Sequence, residues 1–242
     1  MTDGLVLIGF IAFAYALGAL PLSYAIVRRW KGVDLHEEGS GNVGATNVMR
    51  TAGWPLGLLV LVLDITKGAL AVLLAELLLV FVVGPWFGID IISGFVGDGK
   101  LGQAYHGPGI APDLSGTLYA KILASAGVAV IVGHVYPVTL GFRGGKGVAT
   151  SCGVFALLAP HAALLSVVAF AIVAWTTRYV SLGSIAGAVV LPLACAASAE
   201  VPETLLASCA AAIIIVLRHR ENLNRLHAGT EPRFGRHFNE RA

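Results

Sequence analysis

Residues 54–83 read WPLGLLVLVLDITKGALAVLLAELLLVFVV, thirty positions whose interior is interrupted early by Asp64 and Lys67. About 20 apolar residues in a helix cross the hydrocarbon core of a bilayer. This stretch is therefore a membrane span with length to spare for tilt. The rest of the chain agrees with it. Of 242 residues, 57% are hydrophobic and 12% charged, with a mean hydropathy of +0.81. A soluble domain carries about 25% charged residues, so this composition excludes a water-facing globular surface and makes lipid the solvent for most of it.

Working outward, the apolar segments predict an all-α integral membrane protein with seven transmembrane helices in a single polytopic domain, residues 1–242. The spans are expected at about 5–27, 54–83, 117–135, two within 148–177 broken near Ala159-Pro160-His161, then 185–199 and 204–217. A Gly/Pro-rich loop, about 84–116, falls on the outer side. Inner loops fall at about 28–53, 136–147, 176–184 and 218–242. Of the 16 Lys and Arg residues, all but Lys67, Lys100 and Lys121 lie in those inner segments. The positive-inside rule then places the N-terminus outside and the C-terminus in the cytoplasm. Met1-Thr2-Asp3-Gly4 lacks a basic leader region, so the first span is expected to be retained. Cys152, Cys195 and Cys209 have no metal-ligand or paired spacing and are expected to be buried thiols.

Three of the inner segments carry chemistry. In GSGNVGATNVMR (39–50), Gly39, Gly41 and Gly44 let the backbone turn tightly and approach a ligand. Ser40, Asn42, Thr46 and Asn47 add short polar groups, and Arg50 can grip a phosphate with two parallel donors. Backbone N–H groups in such turns form anion-binding concavities. In the second segment, Gly144, Gly145 and Gly147 flank Lys146. It is not a nucleotide P-loop, because Gly147 follows the Lys where that motif needs Ser or Thr, and Leu140 stands at the place of its first Gly. The third segment offers His219 and Asn222, three apart on one face if the last span continues as helix, with Arg218 and Arg225 two turns apart. Glu221 and Glu231 serve equally well as ion-pair partners. Within the spans, Asp64 and Lys67 share a face, either as a functional pair or as a structural one. Ser181 and Ser184 are helix caps or ligand contacts.

Taken together, GSGNVGATNVMR (39–50), GHVYPVTLGFRGGKGVAT (133–150), HRENLNRL (219–226) and GTE (229–231) resemble the bacterial acyl-phosphate:glycerol-3-phosphate acyltransferases, the PlsY type. SLGS (181–184) and the Asp64–Gly68 element resemble them too, and the order of motifs and spans runs over essentially the whole chain. The resemblance implies an inner-membrane enzyme whose site faces the cytoplasm. It would transfer an acyl group from acyl phosphate to the 1-hydroxyl of glycerol 3-phosphate, giving lysophosphatidic acid and phosphate. It implies no cofactor, no metal and no nucleic-acid partner, and it sets no oligomeric state. Matched by position, Ser40, Arg50, Lys146, Ser184, His219 and Asn222 line the polar pocket. Ser181 is the alternative to Ser184. His219, Asn222, Ser184 and Lys146 carry the catalytic roles. Gly41, Asn42, Thr46, Asn47, Gly144, Gly145, Gly147 and Arg225 complete the phosphate-binding set.

The residues suit that chemistry. No His has Asp five positions later, and no GxSxG elbow is present, so neither a His/Asp dyad nor a Ser triad is expected. Acyl phosphate is a mixed anhydride with a good leaving group, and positioning plus charge stabilisation suffice. The proton acceptor is either a substrate phosphate or His219. Two other function classes compete: a transporter of phosphorylated solutes, which would call for interrupted helices near the midplane, and a basic anchor, which leaves the glycine-rich loops unexplained.

Overall fold

The computed structural model describes residues 2–83 and 116–234. The expected outer loop, Lys100, Arg236 and Arg241 lie outside the described residues. Ten α-helices are described: α1 (Thr2–Gly18), α2 (Leu22–Lys31), α3 (Ala45–Thr51), α4 (Trp54–Leu78), α5 (Gly116–Val135), α6 (Val148–Leu158), α7 (Pro160–Thr177), α8 (Val180–Ala197), α9 (Pro202–Arg218) and α10 (Arg220–His227). A π-helical turn, Leu79–Val83, extends α4. The described residues contain no strand.

In lipid, helices gain little by hiding apolar side chains from one another, so they associate where small residues let backbones touch. This chain does so at three crossings. Gly18 of α1 and Gly133 of α5 face one another, and a Cβ on either would run into the other helix's backbone. Gly68 of α4 sits on the Thr150 carbonyl and Gly153 of α6 on the Ile65 carbonyl. Gly183 and Gly187 seat α8 on α7 at Phe170 and Ser166. The interior between these crossings holds Phe10, Val72, Ile122, Val130, Val154 and Phe155. Leu193, Leu206, Ile172 and Trp175 point outward and are exposed, an arrangement suited to a bilayer and hostile to water.

Five helical segments are long and apolar enough to cross a membrane: Gly4–Lys31, Trp54–Val83, Leu118–Leu140, Pro160–Thr177 and Val180–Ala197. A sixth appears if α9 and α10 count as one bent span, where seven were expected. The difference is α6. Its 11 residues reach about 17 Å at 1.5 Å each, against a hydrocarbon core of about 30 Å. It opens after Gly147 in the left-handed conformation and stops at Ala159, where Pro160 starts α7 at a position that needs no N–H.

Two expectations need correction. The inner loop placed at 176–184 is only the Arg178–Tyr179 connection, because Val180–Ser184 form the first turn of α8. Ser184 donates its hydroxyl to the Val180 carbonyl at 2.9 Å, which makes a serine acceptable inside a helix. The last span also does not run straight through His219. The chain bends by 50° there, between α9 and α10.

The crossings give a direct test. Gly153→Ala should destabilise the purified protein by about 1–3 kcal/mol, the cost of overpacking, read as a lower melting temperature in detergent. Gly9→Ala, with nothing within 4 Å of the added carbon, should leave melting unchanged.

Candidate active site

The first loop is built around one asparagine. Asn47, 2% exposed, accepts the Ser40 N–H at 2.8 Å and donates to the carbonyls of Glu38 (3.0 Å) and Leu35 (3.4 Å). Its side chain is thus spent on the loop itself. Gly39 and Gly41 adopt positive φ, +61° and +69°, which only glycine takes at little cost. A Cβ on Gly39 would also strike the Asn47 amide. Asn42 accepts the Gly44 N–H at 3.0 Å, closing the turn into α3. Arg50 and half-buried Thr46 ride on α3, and Ser40 is exposed at the rim.

The second loop folds back on the helix it leaves. Gly144 donates to the Val135 carbonyl (3.2 Å) and Gly145 to the His134 carbonyl (3.1 Å). Both glycines lie so close to His134 that a Cβ has no room. Gly147, with φ +84°, turns the chain into α6 directly after Lys146. His36 of the first loop donates through Nε2 to the Arg143 carbonyl at 2.8 Å, so the two loops are joined.

The third segment closes the site. Lys146 donates to Asn222 Oδ1. Asn222 donates to Glu231 Oε1 at 2.7 Å, and Arg225 Nε reaches Glu231 Oε2 at 2.8 Å. Arg218 donates to the Gly144 carbonyl at 3.2 Å and lies over the Tyr136 ring. His219 is buried, and its Nδ1 donates to the Ile215 carbonyl at 2.8 Å. A carbonyl only accepts, so Nδ1 carries the proton and Nε2 keeps a lone pair. The Ser181 hydroxyl is buried beside the Glu231 carboxylate without a hydrogen bond of normal geometry.

The electrostatics are lopsided. Burial pushes the Lys146 ammonium down to about 8, with Arg225 and Arg218 adding repulsion and Glu231 and Glu221 opposing it. Burial alone would raise the Glu231 carboxyl. The donors around it, Asn222 first and then Ser181 and Arg225, outweigh that and hold it below its usual 4.5. The charges of Glu231 and Arg225 also reach Arg50. Arg50, Lys146 and Arg225 thus lie in the field of one buried carboxylate, with Arg218 beside Lys146, leaving positive charge for an anionic ligand.

Of the expected residues, Lys146, Asn222, Arg225 and Ser181 meet around Glu231, with Arg50 within its field and His219 within that of Lys146. Ser184 sits one turn further along α8 with its hydroxyl already bonded. Two further residues build the site. Glu231, expected as a possible ion-pair partner, pairs with Arg225 and also accepts from Asn222. His134, flanked by glycine inside an apolar span, carries the second loop. It stands inside the 133–150 motif, which by itself gives it no role. Among the described residues, no group of three His, Cys, Asp or Glu side chains could hold a metal ion.

The described residues thus form an all-helical membrane protein with a cation-rich, glycine-lined site at the ends of its spans, an arrangement suited to anionic ligands. The glycerol-3-phosphate acyltransferase family profile matches residues 8–229. A glycerol-3-phosphate acyltransferase of Trichlorobacter lovleyi is 38% identical over 97% of this chain and 99% of its own length. One of Geobacter sulfurreducens is 37% identical over 92% and 95%. The crystal structure of PlsY (YgiH), an integral membrane glycerol 3-phosphate acyltransferase, in its glycerol 3-phosphate form superposes with a TM-score of 0.73 at 36% identity, covering 95% of this chain and 96% of that one. Its lysophosphatidic acid form gives 0.71 at 35%. The chain belongs to the glycerol-3-phosphate acyltransferase family.

Glu231→Ala should lower stability by about 2 kcal/mol at neutral pH, since it strands Arg225 and Asn222. Because the folded carboxyl lies below 4.5, this contribution is present above the unfolded value and fades as pH falls through the folded one. Melting curves of variant and parent should therefore converge in acid. Equal melting at neutral pH would remove Glu231 from its holding role.

Proposed function

We propose that the protein transfers an acyl group from acyl phosphate to the 1-hydroxyl of glycerol 3-phosphate, giving lysophosphatidic acid and inorganic phosphate. The observation that carries this is the convergence of Arg50, Lys146 and Arg225 on a site with a single buried carboxylate. Lys146 and Arg50 hold the phosphate of glycerol 3-phosphate, with Ser40 and the loop amides at the rim. Gly41 and Gly147 turn the backbone at the site, Gly144 and Gly145 seat the second loop on His134, and Asn42, Thr46 and Asn47 shape the first loop. Asn222 orients Lys146, and Ser181 and Ser184 line the α8 wall. The acyl chain lies among the exposed apolar faces of the spans, reached from the bilayer. The site faces the cytoplasm of the inner membrane, where the basic loops lie.

The glycerol hydroxyl attacks the acyl carbonyl, the C–O bond to phosphate breaks, and the phosphate leaves with the electron pair. A substrate phosphate, oriented by Arg50, Lys146 and His219, accepts the hydroxyl proton. A second reading makes His219 the base, favoured by the Nδ1–H···O bond to Ile215 that leaves Nε2 as an acceptor. His219→Gln separates the two. A loss of about tenfold in kcat/KM, as for a lost phosphate contact, supports substrate assistance. A fall of kcat by about 10²–10⁴ with affinity kept supports His219.

The donor is tested by incubating purified protein with glycerol 3-phosphate and palmitoyl phosphate, following phosphate and lysophosphatidate, and repeating with palmitoyl-CoA. Product from the thioester alone overturns the donor assignment. The depressed Lys146 predicts a pH effect. In the free enzyme its charge is lost as pH rises through about 8, so kcat/KM should decline there. Lys146→Arg, which stays charged at any accessible pH, should move that decline upward by a unit or more. A decline at the same pH in both proteins would rule out Lys146 as its source.

A further inference from the structure

A second polar cluster lies beneath the site, wholly inside the helix bundle. Asp64 and Lys67 of α4 are 3% and 8% exposed, and Ser23 of α2 and His134 of α5 are equally buried. Ser23 donates to Asp64 Oδ1 at 3.1 Å. The Lys67 ammonium lies 3.7 Å from the same oxygen. It donates to the Gly18 carbonyl of α1 at 3.1 Å and to His134 Nδ1 at 3.1 Å. The ammonium group thereby ties α4 to α1 and α5, and the Asp64 carboxylate beside it adds α2 through Ser23. A buried ion pair is weak as a source of stability, and within a membrane span it marks function by default.

The cluster's outlet is His134. With Nδ1 taken by Lys67, the far edge of the ring lies against Gly145, where a Cβ would land on Nε2. The His134 carbonyl receives the Gly145 N–H, and the neighbouring Val135 carbonyl receives that of Gly144. Ring and backbone together clasp the two residues immediately before Lys146, and Arg218 closes the far side through the Gly144 carbonyl. Turning or removing the ring would take this support from the residues that set Lys146 against Asn222.

We propose that His134, oriented by Lys67 and Asp64, is a positioning residue that places Lys146 for substrate phosphate. This rests on Lys146 holding the phosphate of glycerol 3-phosphate, as proposed above. His134 itself touches no substrate; it acts through the loop.

The test is a double-variant cycle on the full-length protein purified in detergent, reading equilibrium binding of radiolabelled glycerol 3-phosphate. His134→Phe keeps a ring of similar shape but offers Lys67 no acceptor. It should weaken binding about tenfold, as should Lys146→Met. The double variant should bind within about twofold of Lys146→Met alone, because the route through Lys146 is already gone. A double variant weakened about a hundredfold shows that His134 acts independently and overturns the proposal. Unchanged binding in Lys146→Met removes Lys146 from that phosphate and overturns both readings. Unchanged binding in His134→Phe, with Lys146→Met weakened, overturns this one alone. If His134→Phe fails to fold, Gly145→Ala displaces the same loop from an intact ring and must show the same non-additivity.

Discussion

Three cations in the field of a single buried carboxylate, with Arg218 a fourth beside Lys146, crowd one site, and its architecture is what makes that crowding tolerable. Arg225 is paired directly with Glu231, Lys146 shares Asn222 with it, and Arg218 is spread over a tyrosine ring and a glycine carbonyl. What remains is an unneutralised excess of positive charge in a partly occluded place. Such an excess costs folding energy in the empty protein. A dianionic ligand would offset it, and the surrounding low dielectric would make that compensation stronger than in water.

Holding such a site requires rigid spans, and the spans are rigid because glycine lets them touch. The α1–α5 and α4–α6 crossings bring Gly18, Gly133, Gly68 and Gly153 against opposing backbone. They also bring Lys67 within reach of the Gly18 carbonyl and of His134. Close packing in lipid and the internal charge network are thus one design, since the ammonium group finds its acceptors only where the helices are near enough. The same closeness continues into the second loop, where Gly144 and Gly145 are small for contact with His134 and not for freedom of φ.

Much of this was legible in the residues. The spans followed from hydropathy, and the glycine-rich loops stood out because polar residues are rare in such a chain. Lys146, Asn222 and Arg225 stood out by type and place, and the fold brings them together around Glu231. The start of α8 was misread because Ser181 and Ser184 lower local hydropathy, while a helical serine conceals its hydroxyl in the preceding turn. The bend at His219 left no trace, since no proline or glycine marks it. His134 was passed over because a lone histidine in an apolar span has no periodic partner. Its partners Asp64 and Lys67 are about 70 positions away, and only the fold joins them. Asn47 was legible as polar, but its role as the brace of its own loop depends on carbonyls 9 and 12 residues earlier.

The division of labour that results explains why no catalytic dyad of the familiar kind is needed. In the proposed reaction the donor arrives activated, so the protein's task is to hold a hydroxyl and an acyl carbonyl in register against the repulsion of two phosphates. Cations placed on three separate chain segments do this better than one strong base would, because each takes part of the charge while the segments fix the distance between them. Positioning of this kind is worth many kcal/mol when the geometry is held and little when it is loose. The buried ion pairs, glycine crossings and carboxylate clamp therefore fix this geometry as well as hold the helices together, in a bilayer where apolar faces gain little from meeting one another.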